Sequence, residues 1–509
     1  MASRNSLQHL RVAVVLALAA AVLTACGAAD SGGEKAVPAT GYGGTPGTPE
    51  GLARGAATPT GEAADRPADG EVSAAERPVS TFAVDVDTAS YGFARRTLLS
   101  GRRPAANTIR PEEFVNSFDQ RYREPDGNGF AITADGTRMP QTHRGADDDT
   151  RLLRVGLQTR GESGASRPDA ALTFVVDVSG SMDEPGKLDL VQHGLNTLVD
   201  QLRPTDSVAL VAYSDRAELL RPMTPVRDRD ALHDAIGRLR VAGSTNLEAG
   251  LLLGYDTARK AFRPSATNRV ILLSDGLPNV GTTDAAPLVR EIQEAAAKQI
   301  TLLGVGVGSD YGDRFMEQLA DKGDGYVVYV SEQTEADRIF VQQLPATVAL
   351  RALDAKAQVE FDSKTVLSYR LIGYDDRVLS ASAFRNDRVD GGEVGPGHAV
   401  TALYALHLRP GAQGHLAEVR VRWLDPKTRE ASELAQPVTV SALDQTFDEA
   451  PAPVRVCYVA AYLAEVLRGS RYAGDVRLTD LRTLARDAGE GTQIRELSEV
   501  ISAAVSLYD

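Results

Sequence analysis

The run Thr173-Phe-Val-Val-Asp177-Val-Ser179-Gly-Ser181-Met182 constrains the fold of this chain more than any other stretch. Its apolar part, rich in valine, has the pattern of a strand buried on both faces. The strand stops at an Asp-x-Ser-x-Ser cluster, where Gly180 lets the chain turn tightly enough for one carboxylate and two hydroxyls to converge. Hard oxygens at such spacing suit a hard divalent cation, magnesium above all. Two distant pieces fit the same picture. Thr245 lies in Ala-Gly-Ser-Thr-Asn-Leu-Glu-Ala-Gly, which opens an amphipathic helix, and Asp275 ends the apolar run Arg-Val-Ile-Leu-Leu-Ser-Asp-Gly. In a parallel sheet ligands gather outside the carboxyl ends of the strands, so residues 177–181 and 275 are expected to face each other, with the 245 loop entering from the side. A plainer alternative has Asp177 and the serines capping a helix and Asp275 starting a turn. It accounts for each piece singly, but not for three pieces in order, each at an element boundary.

Around these pieces apolar strands alternate with amphipathic helices, which predicts a doubly wound, mostly parallel α/β sheet. Strands are expected near 171–178, 207–213, 269–274, 300–307 and 325–330, with an antiparallel edge strand near 217–223. Leu188, Val191, Leu195, Leu198 and Leu202 form one helical stripe, and Leu288, Ile292, Ala295 and Ala296 another. His193, inside the first helix, reads as packing or solvated rather than ligating. Gly304-Val-Gly306-Val-Gly308 lacks the spacing of a dinucleotide loop and is expected to let its strand turn at the sheet edge.

The segment 168–346 thus resembles a von Willebrand factor type A domain, Rossmann-like in fold, and the five residues resemble that family's metal-ion-dependent adhesion site (MIDAS). The resemblance implies that Ser179, Ser181 and Thr245 bind a Mg2+ ion directly, Mn2+ being possible, while Asp177 and Asp275 act through water. One position of the ion is then left for an exposed Asp or Glu of a protein partner. With few direct carboxylates the ion keeps its positive character. The family also implies a shift of the last helix, near 332–343, on occupancy.

The amino terminus carries Arg4 and Arg11 before an apolar run from Val12 to Leu23, too short to span a bilayer stably, and reads as a signal peptide over 1–26. Leu23-Thr-Ala-Cys26-Gly27 resembles a bacterial lipobox, which implies lipidation of Cys26 and a membrane anchor on the extracytoplasmic face. Residues 27–78, rich in Gly, Ala, Pro, Thr and Glu, read as a disordered tether with a reach of roughly 40 Å. Cys457 is the second of two cysteines, so acylation of Cys26 leaves no internal disulfide.

Between 79 and 167 short elements are expected: a strand at 81–86, helices at 89–99 and 112–118, and a strand at 152–158. Ser80-Thr-Phe-Ala-Val-Asp85-Val-Asp87-Thr-Ala-Ser90-Tyr91 and Pro111-Glu-Glu-Phe-Val-Asn-Ser-Phe118 resemble the region before the A domain in a family of bacterial lipoproteins, which also carry an uncharacterised region after it. Asp85 and Asp87 alternate on a strand and are expected to face water. Residues 347–445 alternate as β-sandwich strands, at 357–361, 368–372, 400–408 and 416–423, and are expected to pair with 79–167 into one discontinuous sandwich. Residues 446–509 return to helical spacing, as two or three helices.

A net charge of −14 over 509 residues argues against a nucleic-acid binder. The sequence contains no Gly-x-Ser-x-Gly elbow, no His-Glu-x-x-His and no phosphate-cradling Gly-x-x-x-x-Gly-Lys-Ser/Thr. The expectation is a membrane-anchored binding protein without catalytic residues. The alternative is a cell-envelope enzyme or enzyme-regulating subunit whose A domain recruits substrate to the flanking regions, which a pocket of ionisable residues there would favour.

Overall fold

The computed structural model describes residues 70–508, apart from 85–86, 144–149, 162–166, 276–284, most of 309–349 and positions 376, 388, 390 and 475. Cys26, the signal peptide and residues 27–69 therefore lie outside the described residues, as does most of the helix expected near 332–343.

Three stretches of chain supply the elements. The first gives β1 (Val72–Ser73), β2 (Val79–Ala83), α1 (Ala89–Leu99), α2 (Pro111–Asn116), β3 (Phe130–Arg138) and β4 (Thr150–Thr159). The second gives β5 (Ala170–Asp177), α3 (Leu188–Gln201), β6 (Ser207–Tyr213), β7 (Ala217–Pro225), α4 (Arg229–Ile236), α5 (Leu247–Lys260), β8 (Thr267–Ser274), α6 (Ala285–Ala296), β9 (Ile300–Val307) and β10 (Val327–Val330). The third gives β11 (Ala352–Phe361), β12 (Val366–Ile372), β13 (Val378–Leu379), β14 (Gly392–Val394), β15 (Ala399–Leu408), β16 (His415–Leu424) and β17 (Ala431–Thr439). It ends in α7 (Ala452–Leu467), α8 (Leu478–Asp487) and α9 (Thr492–Tyr508).

The middle stretch forms one sheet in the order β10-β9-β8-β5-β6-β7, parallel except for β7, which runs antiparallel to β6 at the edge. This is the doubly wound arrangement that the apolar strand runs predict. Every residue of β5 is buried, because helices cover both faces. On one face Phe174, Leu210 and Leu273 pack with Val191, Leu195 and Leu198 of α3 and with Leu232 of α4. On the other, Val175, Val211 and Leu272 pack with Leu251 and Tyr255 of α5 and with Ile292 of α6. The strand order reverses between β5 and β8, so a crevice opens at their carboxyl ends.

Strands from both flanks share two further sheets, β1-β12-β15-β4-β3 and β13-β2-β11-β16-β17, which sandwich one core. β4 pairs with β15 from Gln158↔Ala399 to Thr150↔His407, and β2 pairs with β11. The helices α7, α8 and α9 join α1 and α2 over Leu152, Ile372 and Leu403, the outer face of the first sheet. β4 is consequently buried along its whole length.

Four readings are corrected. The expected tether ends earlier than 78, since β1 pairs with β12 and Ala74 is fully buried. β3 and β17 form edge strands of their sheets where the sequence pattern predicts none. Asp87 does not face water. It is buried, accepts a hydrogen bond from the Val327 N–H of β10 at 3.3 Å and lies 3.7 Å from Arg377, tying the sandwich to the central sheet. Asp85 lies outside the described residues. Finally, Gly304 and Gly306 lie inside β9, next to edge strand β10, rather than at a turn. A Cβ on Gly306 would meet the Tyr329 ring at 2.7 Å, so the glycines make room for the neighbouring strand.

Candidate metal centre

Asp177 is the last residue of β5, and Asp275 follows Ser274, the last of β8, so the two carboxylates meet at the crevice where strand order reverses. Beyond Asp177 the chain bends through Val178 and Ser179 into a short 3-10 turn over Gly180–Asp183. Its geometry is held from two sides: the Val178 N–H donates to the Tyr213 carbonyl at 2.9 Å, and the Gly180 N–H to the Gly243 carbonyl at 3.0 Å.

The 243–246 loop is fastened to this turn. The Ala242 N–H donates to the Val178 carbonyl at 2.7 Å, and the Asn246 N–H to the Ser214 carbonyl at 2.8 Å. Asp215 accepts the Ser244 N–H at 2.9 Å, which leaves space for no side chain at Gly243, where φ is +64°. Asn246 then caps α5 by accepting from the Ala249 N–H at 3.1 Å. Thr245, buried, is thereby placed two residues beyond the Gly180–Gly243 contact.

The oxygens fall into two kinds. The Ser179 and Ser181 hydroxyls lie 3.2 Å apart, and Ser181 donates to Asp275 Oδ1 at 2.9 Å. Asp177, in contrast, is held by three protein donors: Oδ1 accepts the Ser179 N–H at 2.8 Å, while Oδ2 accepts Ser274 Oγ at 2.7 Å and Tyr213 OH at 3.2 Å. Burial raises the Asp177 pKa against the pull of these donors, with the Asp275 charge adding to the rise. Burial likewise raises the Tyr213 hydroxyl well above its usual value, reinforced by the Asp177 charge.

Three contributors escaped the sequence reading: Ser274, Tyr213 and Lys187. The Lys187 ammonium donates to Asp275 Oδ2 at 2.8 Å and reaches Glu184 at 2.9 Å. Burial works against its charge, but the hydrogen bonds and charges of Asp275 and Glu184 outweigh that and raise its pKa. A lone lysine in a turn carries no signal of its own. Ser274 and Tyr213, as strand termini flanking β5, were findable from the strand pattern.

Among the described residues no group of three or more His, Cys, Asp and Glu side chains is placed to hold a metal. A cation at this crevice would therefore rest largely on hydroxyls. The donors present, two serine hydroxyls beside Asp275 and a buried threonine in the adjoining loop, fit a hard divalent ion and lack the imidazole and thiolate that favour zinc.

Comparison with known proteins agrees with this picture of the fold. The description of the von Willebrand factor type A domain matches residues 171–342, a further von Willebrand factor description matches 63–147, and the carboxyl-terminal description of the uncharacterised protein YfbK matches 346–504. YfbK of Escherichia coli K12 is 30% identical over 443 residues, spanning 82% of this chain and 76% of its own. The chain belongs to the YfbK family. An uncharacterised Synechocystis protein, sll0103, is 25% identical over 313 residues, 59% of this chain and 73% of its own. The inter-alpha-trypsin inhibitor heavy chain H1 of Mesocricetus auratus is 31% identical over 174 residues, 32% of this chain and 19% of its own. A von Willebrand factor type A structure from Catenulispora acidiphila covers 75% of this chain and 91% of its own at 18% identity, with a TM-score of 0.44.

In this YfbK-family chain the A-domain match begins at Ala171 in β5 and takes in all five candidate site residues. Domains of this type mediate protein–protein interactions and typically bind a divalent metal.

Proposed function

We propose that this YfbK-family protein is a membrane-anchored, extracytoplasmic binding protein. Its A domain holds a divalent cation, Mg2+ with Mn2+ possible, through Asp177, Ser179, Ser181, Thr245 and Asp275. The ion is offered to an exposed Asp or Glu of a protein partner, and no catalytic step is required. Lipidation of Cys26 supplies the anchor.

The observation that carries this reading is the division of labour among the oxygens. Asp177 is held by three protein donors, Ser179, Ser274 and Tyr213, which leaves one of a carboxylate's roughly four acceptor sites for a water, while the serine hydroxyls converge beside Asp275. An ion held mainly by neutral oxygens keeps charge to spare for an acidic ligand. The test is capture of cell-envelope proteins by the wild-type chain in Mg2+, in EDTA, and by the Thr245→Ala variant. Capture that needs both the ion and Thr245 is expected, and capture indifferent to both contradicts the reading. For the anchor, Cys26→Ser is expected to move the protein from the membrane to the soluble fraction.

One observation favours the second reading, an envelope enzyme or regulatory subunit. A cleft of about 540 Å³ at the junction of α2 and the end of α7 is lined by Arg110, Glu112, Asp375, Arg468 and Arg471. Its charges are largely paired within the protein, Arg468 with Asp375 at 2.7 Å and with Glu465 at 2.8 Å, and Arg110 with Glu113 at 3.1 Å. That pairing supports a structural network over a reactive one. Loss of an envelope phenotype on Arg471→Ala with ion-dependent capture intact would favour the enzyme reading.

A further inference from the structure

A cation site lined by hydroxyls has no need of a lysine, yet Lys187 is built into this one. Its side chain is 4% exposed and its ammonium lies 2.8 Å from Asp275 Oδ2, the oxygen that Ser181 leaves open. The placement is fixed along the whole side chain. Backbone φ and ψ of −113° and −90° set Lys187 at the entry to α3, with its N–H on the Glu184 carbonyl at 3.2 Å. Its stem lies against Gly308 at the end of β9, where φ is +91° and any Cβ would meet Lys187 Cε at 2.7 Å. From the solvent side Glu184, 60% exposed, closes over the same ammonium at 2.9 Å.

The consequence is electrostatic. Asp275 is one of two carboxylates in the candidate donor set, and the other, Asp177, is already engaged by three donors. A carboxylate paired with an ammonium has less charge to give a second cation, and the ammonium, buried beside Asp275, itself repels that cation. Resting on the ion-binding reading above, we infer that Lys187 sets the affinity of the site: by competing for Asp275 it holds the site to weak binding of the divalent cation alone. A site weakened in this way fills further when an additional ligand joins the ion, which couples occupancy to the partner.

The test is calorimetric titration of Mg2+ into the full-length protein in detergent, comparing wild type with Lys187→Met, Lys187→Arg and Ser181→Ala. Methionine keeps the stem against Gly308 and removes the charge, whereas arginine keeps the charge. Lys187→Met is expected to bind Mg2+ about tenfold more tightly than wild type, with Lys187→Arg close to wild type. Unchanged or weaker binding by a folded Lys187→Met overturns the inference, because a merely structural lysine predicts that result. Should Lys187→Met fail to fold, Lys187→Gln carries the same expectation in smaller measure, since its amide can still donate to Asp275. Failure of both to fold makes Lys187 a structural ion-pair partner and overturns the inference too. If Mg2+ binds wild type and Ser181→Ala identically, the ion-site reading itself falls, an outcome distinct from a change confined to Lys187.

Discussion

The central sheet and the flanking sandwich bury comparable strands in opposite ways. β5, β6, β8 and β9 come from one contiguous stretch, lie parallel, and are covered on both faces by helices threaded between them. The sandwich takes β1–β4 from before that stretch and β11–β17 from after it, so β2–β11 and β4–β15 join residues about 240 to 280 positions apart. The candidate site lies where contiguous topology puts carboxyl strand ends together. The discontinuous part supplies the frame on which the A domain is mounted, through Asp87 at Val327 and Arg96 stacked 4.5 Å from the Tyr329 ring centroid.

The largest effect that would sharpen this contrast comes from cutting the chain. Residues 168–346 expressed alone are expected to fold cooperatively, since both cores of the central sheet lie inside that stretch, while residues 70–167 alone are expected not to fold. Thermal melting followed by circular dichroism checks this. A folded 70–167 fragment would break the account of a shared sandwich.

A smaller but still large loss is expected at Glu465, fully buried in α7. It accepts from Arg370 at 3.3 Å and from Arg468 at 2.8 Å. Glu465→Ala removes the buried carboxylate that Arg370 faces and one of the two that Arg468 holds, Asp375 remaining at 2.7 Å, and is expected to cost about 3–5 kcal/mol in chemical denaturation. Mg2+ binding at the far crevice is expected to stay unchanged. Coupled loss of both would show the two regions to be one cooperative unit.

Of similar or somewhat lesser size is Phe82→Ala. The ring packs 4.7 Å from that of Tyr374 in the sandwich core, and its removal is expected to cost about 3–4 kcal/mol by the same measurement.

The smallest effect is one of pH. His143 accepts or donates at Tyr458 OH at 3.0 Å and packs edge-on against Tyr462. Burial, with Arg370 adding to it, lowers its pKa from 6.5 to about 4. Because the folded state holds this imidazole neutral while the unfolded chain protonates it, the stability it contributes is complete above pH 6.5 and lost as pH falls towards 4. The loss is expected to reach about 1–2 kcal/mol, and His143→Gln to flatten it, in melting curves taken across that range.

How much of this was legible in the sequence follows from the same contrast. Parallel strands buried on both faces are written as unbroken apolar runs, so β5, β6, β8 and β9 fall within a few residues of their expected bounds. The oxygen cluster was legible because its residues lie at the ends of those runs. β3 and β17 were not, since an edge strand needs only one apolar face. β3 reads Phe-Ala-Ile-Thr-Ala-Asp-Gly-Thr-Arg, and β17 is mostly exposed and carries Pro437, which only an edge tolerates well. β1 is two residues long and exists only through its pairing with β12. The roles of Lys187 and Asp87 depend on partners 88 and 240 residues away, Asp275 and Val327, which no local pattern reveals.

The central claim, a cation held by the serine pair at the crevice between β5 and β8, is tested most directly by calorimetric titration of Mg2+ and Mn2+ into the full-length protein beside its Ser179→Ala, Ser181→Ala double variant. The account predicts one saturable site in the wild type and its loss in the double variant, with both proteins folded. Equal binding by the two proteins would place the ion elsewhere and contradict it.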